Sequence, residues 1–212
     1  QTPTLEAATV AGQSNDAQTA VLPAELHIAM ITDGGNVNDK SYNEASWVGC
    51  SKWAAENGTD ATYYQPSEDS DQARIKAIQT AIENGANVVV CSNFTFGAVL
   101  QQVPQQYPNV MFLGVDLGLG DVPGLQANTS LVSFREEQGG YLAGYAAVMD
   151  GYTRLAFIGG MPVAAVVRYG YGFIQGANQA AEELGIADQV SIEYWYSNFF
   201  VANDEVYSKA RA

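Results

Sequence analysis

From Leu26 onward, apolar runs of strand length alternate with amphipathic segments of helix length, the alternation that predicts parallel strands joined by crossover helices. The first run is Leu26 to Thr32 (LHIAMIT). After the connection DGGNVNDKS comes a helical stretch, Tyr42 to Glu56, with Ala45, Val48, Gly49, Trp53 and Ala54 along one face. A short strand at Ala61 to Tyr64 precedes a helix at Asp69 to Asn84, whose apolar positions are Ala73, Ile75, Ala77, Ile78, Ala81 and Ile82. Gly85 is placed to end it. Asn87 to Cys91 (NVVVC) reads as a strand buried on both faces. A helix at Phe96 to Gln105, strands at Val110 to Val115 and Leu131 to Phe134, and a long apolar helix at Glu136 to Met149 complete a first lobe.

After Gly151 the pattern restarts: a strand at Leu155 to Ile158, a helix at Tyr169 to Leu184, a strand at Val190 to Tyr196, and a helix-like segment from Asn203. The expected architecture is therefore α/β, with a first lobe over residues 25–150 and a second over 151–212 that has only two strands. An incomplete second sheet predicts that the natural chain is longer, and that the present one exposes sheet edges and apolar faces through which it self-associates. Residues 1–24, rich in Ala, Thr, Gln and Ser and without sustained period, read as a flexible tether.

Charge narrows the function classes. With 23 acidic and 9 basic residues, a net charge of -14, the surface repels nucleic-acid phosphates, so no nucleic-acid partner is expected. Cys50 and Cys91 lie inside apolar patterns rather than at metal-ligand spacing and read as small buried side chains. No run of about 20 apolar residues occurs, and the chain starts at Gln1 without an export signal, so the expectation is a soluble chain whose signal has been removed.

The densest chemistry lies in TDGGNVNDKSYN, Thr32 to Asn43, where a strand delivers the chain to a helix at the carboxyl edge of a parallel sheet, the edge at which ligands bind. Gly34 and Gly35 permit tight backbone geometry. Asp33 and Asp39 supply acceptors, Tyr42 a flat π-face, and Asn43 both donor and acceptor. The groups suit a neutral, polar, planar solute; the plainer alternative is that Asp39 or Ser41 caps the helix and Tyr42 packs in the core. Ser92, after NVVVC, and Asp116, in LGVD, end strands at the same sheet edge. They are candidates for solute contacts, with a turn role as the alternative for Ser92.

The segment TDGGNVNDKSYNEASWVG resembles the opening of the basic membrane protein family of ABC-importer substrate-binding lipoproteins, which is similar to purine-nucleoside receptors. Asn38 stands where the family usually has the first of two adjacent aspartates, and Tyr42 where Phe is commoner. SFREEQGGYLAGYAAVMDG, Ser133 to Gly151, resembles the family's helix between lobes, and IGGMPVAAVVRYGYGFIQGAN, Ile158 to Asn178, its run at the start of lobe two. YSNFFVANDEVYSKA, from Tyr196, is a weaker match.

The resemblance implies a periplasmic-binding-protein-like type I fold, two Rossmann-like lobes with the solute in a cleft between them. It implies a purine base stacked between Tyr42 and a Phe of lobe two, Phe199 or Phe200, with carboxylates on the ribose hydroxyls and backbone amides at Gly159 and Gly160. It further implies an extracytoplasmic receptor held to the membrane by a lipid ahead of the tether, with an ABC permease as partner and no enzymatic activity, cofactor or metal. Two rivals stay open. A sugar receptor of the same fold would also use stacked aromatics and carboxylates. A nucleotide-dependent enzyme shares the strand, glycine and helix pattern, although DGGNVND is neither GxGxxG nor a P-loop and the lone His27 lies inside a strand. A repressor is disfavoured, because residues 1–24 contain no Lys, Arg or helix-turn-helix pattern.

Overall fold

The computed structural model describes residues 25–197, so the proposed tether, Phe199, Phe200 and the segment from Asn203 lie outside the described residues. The chain divides into two compact units, one ending at Ser133 and the other beginning at Phe134.

The first unit is a five-stranded parallel sheet in the order β2-β1-β3-β4-β5. The strands are β1 (His27–Ile31), β2 (Asp60–Tyr64), β3 (Val88–Ser92), β4 (Met111–Val115) and β5 (Thr129–Val132). The helices are α1 (Tyr42–Asn57), α2 (Asp71–Glu83) and α3 (Gly97–Gln102). The helix expected over Phe96 to Gln105 is broken into a 3-10 turn at Phe94–Phe96, α3, and a second 3-10 turn at Pro104–Gln106. Pro104 has no N–H with which to continue the ladder.

Alternation along the strands sorts the core onto two faces. Ala29, Ile31, Val89, Cys91 and Phe112 pack with Ile78 and Ala81 of α2 and Val99 and Leu100 of α3. Ile28, Met30 and Val90 pack with Ala54 of α1, and Trp47 and Cys50 lie against them. Each fully buried Ile, Leu or Phe in these layers contributes about 1.5–3 kcal/mol. Helix α1 covers its face only in part, leaving an apolar cavity of about 380 Å³ lined by Ile28, Cys50, Trp53, Val90, Met111 and Leu113 among others. The buried side of α1 runs through Asn43, Trp47, Cys50 and Ala54; of the face expected from periodicity Ala54 is buried, while Ala45, Val48, Gly49 and Trp53 are exposed. The helix is rotated because Asn43 is anchored at the sheet edge and Trp47 meets Tyr63 edge-on at 5.2 Å.

The second unit holds α4 (Glu136–Met149), β6 (Arg154–Gly159), α5 (Ala164–Leu184) and β7 (Ser191–Tyr196), with β6 and β7 parallel. The pattern places α4 at the end of the first lobe; in the structure it packs along α5 and belongs to the second unit. A Cβ on Gly140, Gly144, Gly172 or Gly176 would run into backbone of the facing helix, so the two axes lie as close as backbones allow. At the start of α4 the buried Glu136 accepts from Arg168 Nε of α5 at 2.6 Å. Burial alone would raise the Glu136 carboxyl, but the Arg168 hydrogen bond and charge outweigh it and hold it below its ordinary value.

Candidate functional site

The connection between β1 and α1 is built around one side chain. Asn43, 1% exposed, donates from Nδ2 to Asp33 Oδ1 at 2.9 Å and to Asp39 Oδ2 at 2.9 Å, and its Oδ1 accepts from the Asp33 N–H at 3.2 Å. A buried amide satisfied on both ends fixes its neighbours rather than binding a second partner. Asn43, expected to touch solute, is the hub that holds both aspartates.

Asp39 is similarly occupied. Its Oδ1 accepts from Ser41 N at 2.8 Å and Glu44 N at 3.1 Å, its Oδ2 from the Asn43 side chain and from Asn43 N at 3.3 Å. A carboxylate has about four acceptor positions, and here all of them face protein donors. Burial pulls the Asp39 carboxyl upward, but these donated N–H groups outweigh it and keep it below its ordinary value. The capping alternative describes Asp39 well, whereas Ser41 at the N-cap makes no side-chain cap bond. Lys40, in left-handed backbone at φ 54°, sends its N–H to Glu44 Oε2 at 3.0 Å.

Asp33 differs in having capacity left. Its Oδ1 accepts from Gly35 N at 2.7 Å and from Asn43, and its Oδ2 from Asn93 Nδ2 at 2.5 Å. Three of roughly four acceptor positions are taken, so Oδ2 can accept one further donor. Beneath the loop, Arg74, 4% exposed, donates Nε and Nη2 to the Asp33 carbonyl at 3.1 and 2.8 Å. The same guanidinium pairs with Asp69 and Asp71 and lies 5.7 Å from the Phe96 ring centroid. Gly34, at φ 123°, occupies backbone that a larger residue rarely adopts, and a Cβ there would also press on Asp69 Cα at 3.3 Å.

The sheet register aligns the remaining groups. Ile31 pairs with Cys91, and Cys91 with Gly114. Two residues beyond that row, just past the ends of β1, β3 and β4, come Asp33, Asn93 and Asp116. Asp116, 9% exposed, sits in left-handed backbone at φ 61°. Ser92, one step earlier, is fully buried; its Oγ donates to the Tyr42 carbonyl at 3.1 Å and lies 3.0 Å from Ser46 Oγ. It pins the first turn of α1 to β3, while Tyr42 is 40% exposed.

Gly160 follows β6 in the second unit, half-buried at the carboxyl end of that strand. Phe199 lies outside the described residues. His27 sits at the opposite edge of the first sheet, with Nδ1 2.7 Å from Asp60 Oδ1. Cys91 is buried and Cys50 half-buried, both free; burial pushes the Cys50 thiol up to about 11. Among the described residues no group of three His, Cys, Asp or Glu could hold a metal ion, and no helix is long and apolar enough to cross a membrane.

Asn93 and Arg74 escape the reading of the sequence. Asn93 could have been found by aligning strand ends, since ITD, CSN and GVD each leave the sheet on a polar residue. Arg74 carries no such signal, being a charged residue within an apolar helical stripe.

Residues 26–198 match the family described as ABC transporter substrate-binding protein PnrA-like. The chain is 29% identical over 175 residues to the ABC transporter nucleoside-binding protein BmpA of Lactococcus lactis subsp. cremoris, covering 80% of this chain and 47% of that protein. It is 27% identical over 161 residues to Basic membrane protein A1 of Borrelia garinii subsp. bavariensis, 76% of this chain and 46% of that one. A solved ABC transporter system solute-binding protein from Aeropyrum pernix K1 superposes with a TM-score of 0.65 at 20% identity, over 81% of this chain and 47% of that one, a likeness of fold. The chain spans about half the length of the curated relatives it matches.

Proposed function

Because the chain belongs to the family of PnrA-like ABC transporter substrate-binding proteins, we propose that it forms part of an extracytoplasmic receptor that captures a purine nucleoside and hands it to a membrane permease. The family is the one to which TDGGNVNDKSYN and the α4 and α5 segments pointed, and its fold is the periplasmic-binding-protein-like type I architecture. Its members bind solutes for transport, a task that calls for shape and hydrogen bonding rather than a reactive group.

The observation that carries the nucleoside reading is the pairing of an exposed Tyr42 with an Asp33 carboxylate that retains one acceptor position at the carboxyl edge of the sheet. An aromatic face takes a base by stacking, and an ionised carboxylate takes a hydroxyl or N–H. The Lactococcus relative carries the description nucleoside-binding, which favours the same ligand class here. In this reading Asp33, Tyr42 and Asp116 of the first unit meet the solute. Asp39, Asn43 and Ser92 hold the frame. Lipid anchoring to the cell membrane belongs to the same proposal.

Isothermal titration of the chain in its full-length form with inosine, adenosine, guanosine, cytidine and ribose tests the reading. Purine nucleosides should bind, and Tyr42→Ala should weaken them by about 10-fold or more, the value of one stacked base. Binding of ribose alone would replace it with the sugar receptor.

A further inference from the structure

Asn93 stands out among the residues at the carboxyl edge. Its backbone, at φ 87° and ψ 172°, lies in a region that is nearly the preserve of glycine and that strains any side chain. The next residue in the row, Asp116, also has positive φ. Two neighbouring strands of one sheet thus leave it through unfavourable backbone at the same level, while glycine, which would occupy such backbone freely, is absent from both positions.

The side chain explains what holds Asn93 there. Its Oδ1 accepts from Thr95 N at 2.9 Å and Thr95 Oγ1 at 2.8 Å, which fixes the amide orientation and turns Nδ2 toward Asp33 Oδ2 at 2.5 Å. Asn93 is 5% exposed and Asp33 beside it half-buried. Oδ2 is also the oxygen of Asp33 with an acceptor position to spare. The direction left for a solute donor is therefore the one Asn93 does not occupy. A glycine would relieve the backbone but leave the carboxylate held through Oδ1 alone, with no donor fixing Oδ2, and the fold retains the strained residue that supplies that donor.

We propose that Asn93 is a positioning residue that aims the Asp33 carboxylate at the solute, so that its effect on affinity is exerted through Asp33. The proposal rests on the reading of Asp33 as a solute contact. The conformational penalty sits on the β3 exit, and the benefit appears as a pre-oriented acceptor at the β1 exit.

The test is a double-mutant cycle on the full-length protein, with inosine as titrant and thermal melting on the same samples. Asn93→Gly should melt within a few degrees of the parent, because the relieved backbone offsets the lost hydrogen bonds, while inosine affinity falls by about 10-fold. Asn93→Ala, which cannot relax the backbone, should melt below Asn93→Gly. Asp33→Ala should weaken inosine at least as much as Asn93→Gly, and the double variant Asp33→Ala/Asn93→Gly should stay within about 2-fold of Asp33→Ala alone. Losses that multiply in the double variant, or inosine affinity unchanged in Asn93→Gly, would overturn the proposal while leaving the nucleoside reading intact. If the parent protein binds no purine nucleoside, the reading beneath it fails and this proposal fails with it.

Discussion

At the scale of the residue, the site separates side chains by how many hydrogen bonds they have left. Asp39 has spent its acceptors on the first turn of α1, so removing it should act on stability. Asp39→Ala should cost about 1 kcal/mol in urea denaturation, the value of a helix cap. Its pH signature follows from a folded carboxyl held below the ordinary value. The stabilisation is complete above the unfolded-state pKa and fades as the pH falls through the lower folded value, so parent and Asp39→Ala should converge in stability only in acid. A variant that shows the same deficit at pH 3 as at pH 7 would remove the charge from this account. Both aspartates were legible in the sequence as acceptors beside a helix start. Which one was already satisfied was not, because that depends on Asn43 reaching both from one turn inside the helix.

At the scale of the element, the same residue type has opposite effects in different helices. Gly49 borders the apolar cavity beside α1, and a Cβ added there would meet no atom within 4 Å. Gly49→Ala should stabilise the protein by roughly 0.5–1 kcal/mol through helix propensity alone. Gly144 of α4 faces backbone of α5, where a Cβ would lie 2.8 Å from the Phe173 carbonyl carbon and 3.0 Å from Ala177 N. Gly144→Ala should destabilise by about 2–3 kcal/mol, since rigid backbone must move apart and the propensity gain is smaller. A pair of equilibrium unfolding curves decides this; equal effects of one sign would contradict the packing described for α4 and α5. The small-residue run in SFREEQGGYLAGYAAVMDG announces close approach to another backbone. It does not name α5 as the partner, and the pattern accordingly assigns α4 to the preceding lobe.

At the scale of the whole molecule, the net charge of -14 over 212 residues makes self-repulsion a general cost of folding. Among the described residues Lys52–Glu56, Arg74–Asp69, Arg74–Asp71 and Arg168–Glu136 offset it, most with at least one well-exposed partner. Screening should therefore relieve more repulsion than it removes attraction. Raising NaCl from about 10 to about 200 mM should increase the melting temperature by roughly 2–4 °C, equivalent to about 1 kcal/mol for a chain of this size. A melting temperature that falls with salt would mean that attractive pairs dominate.

The order of strands and helices, the parallel sheet, and the family itself were fixed by local information: apolar period, glycine and proline punctuation, and a connection of distinctive composition. These depend on neighbours within a few residues, and they survive without knowledge of what packs where. Tertiary structure alone decided the face α1 buries, the unit α4 joins, and the division of Asp33, Asp39, Asn43 and Ser92 into a carboxylate with capacity and a frame without it. It also brought Asn93 and Arg74 to Asp33 from 60 and 41 residues away along the chain. Those outcomes rest on strand register and on donors and acceptors meeting across elements, and a chain read in one dimension does not carry the distances that decide them.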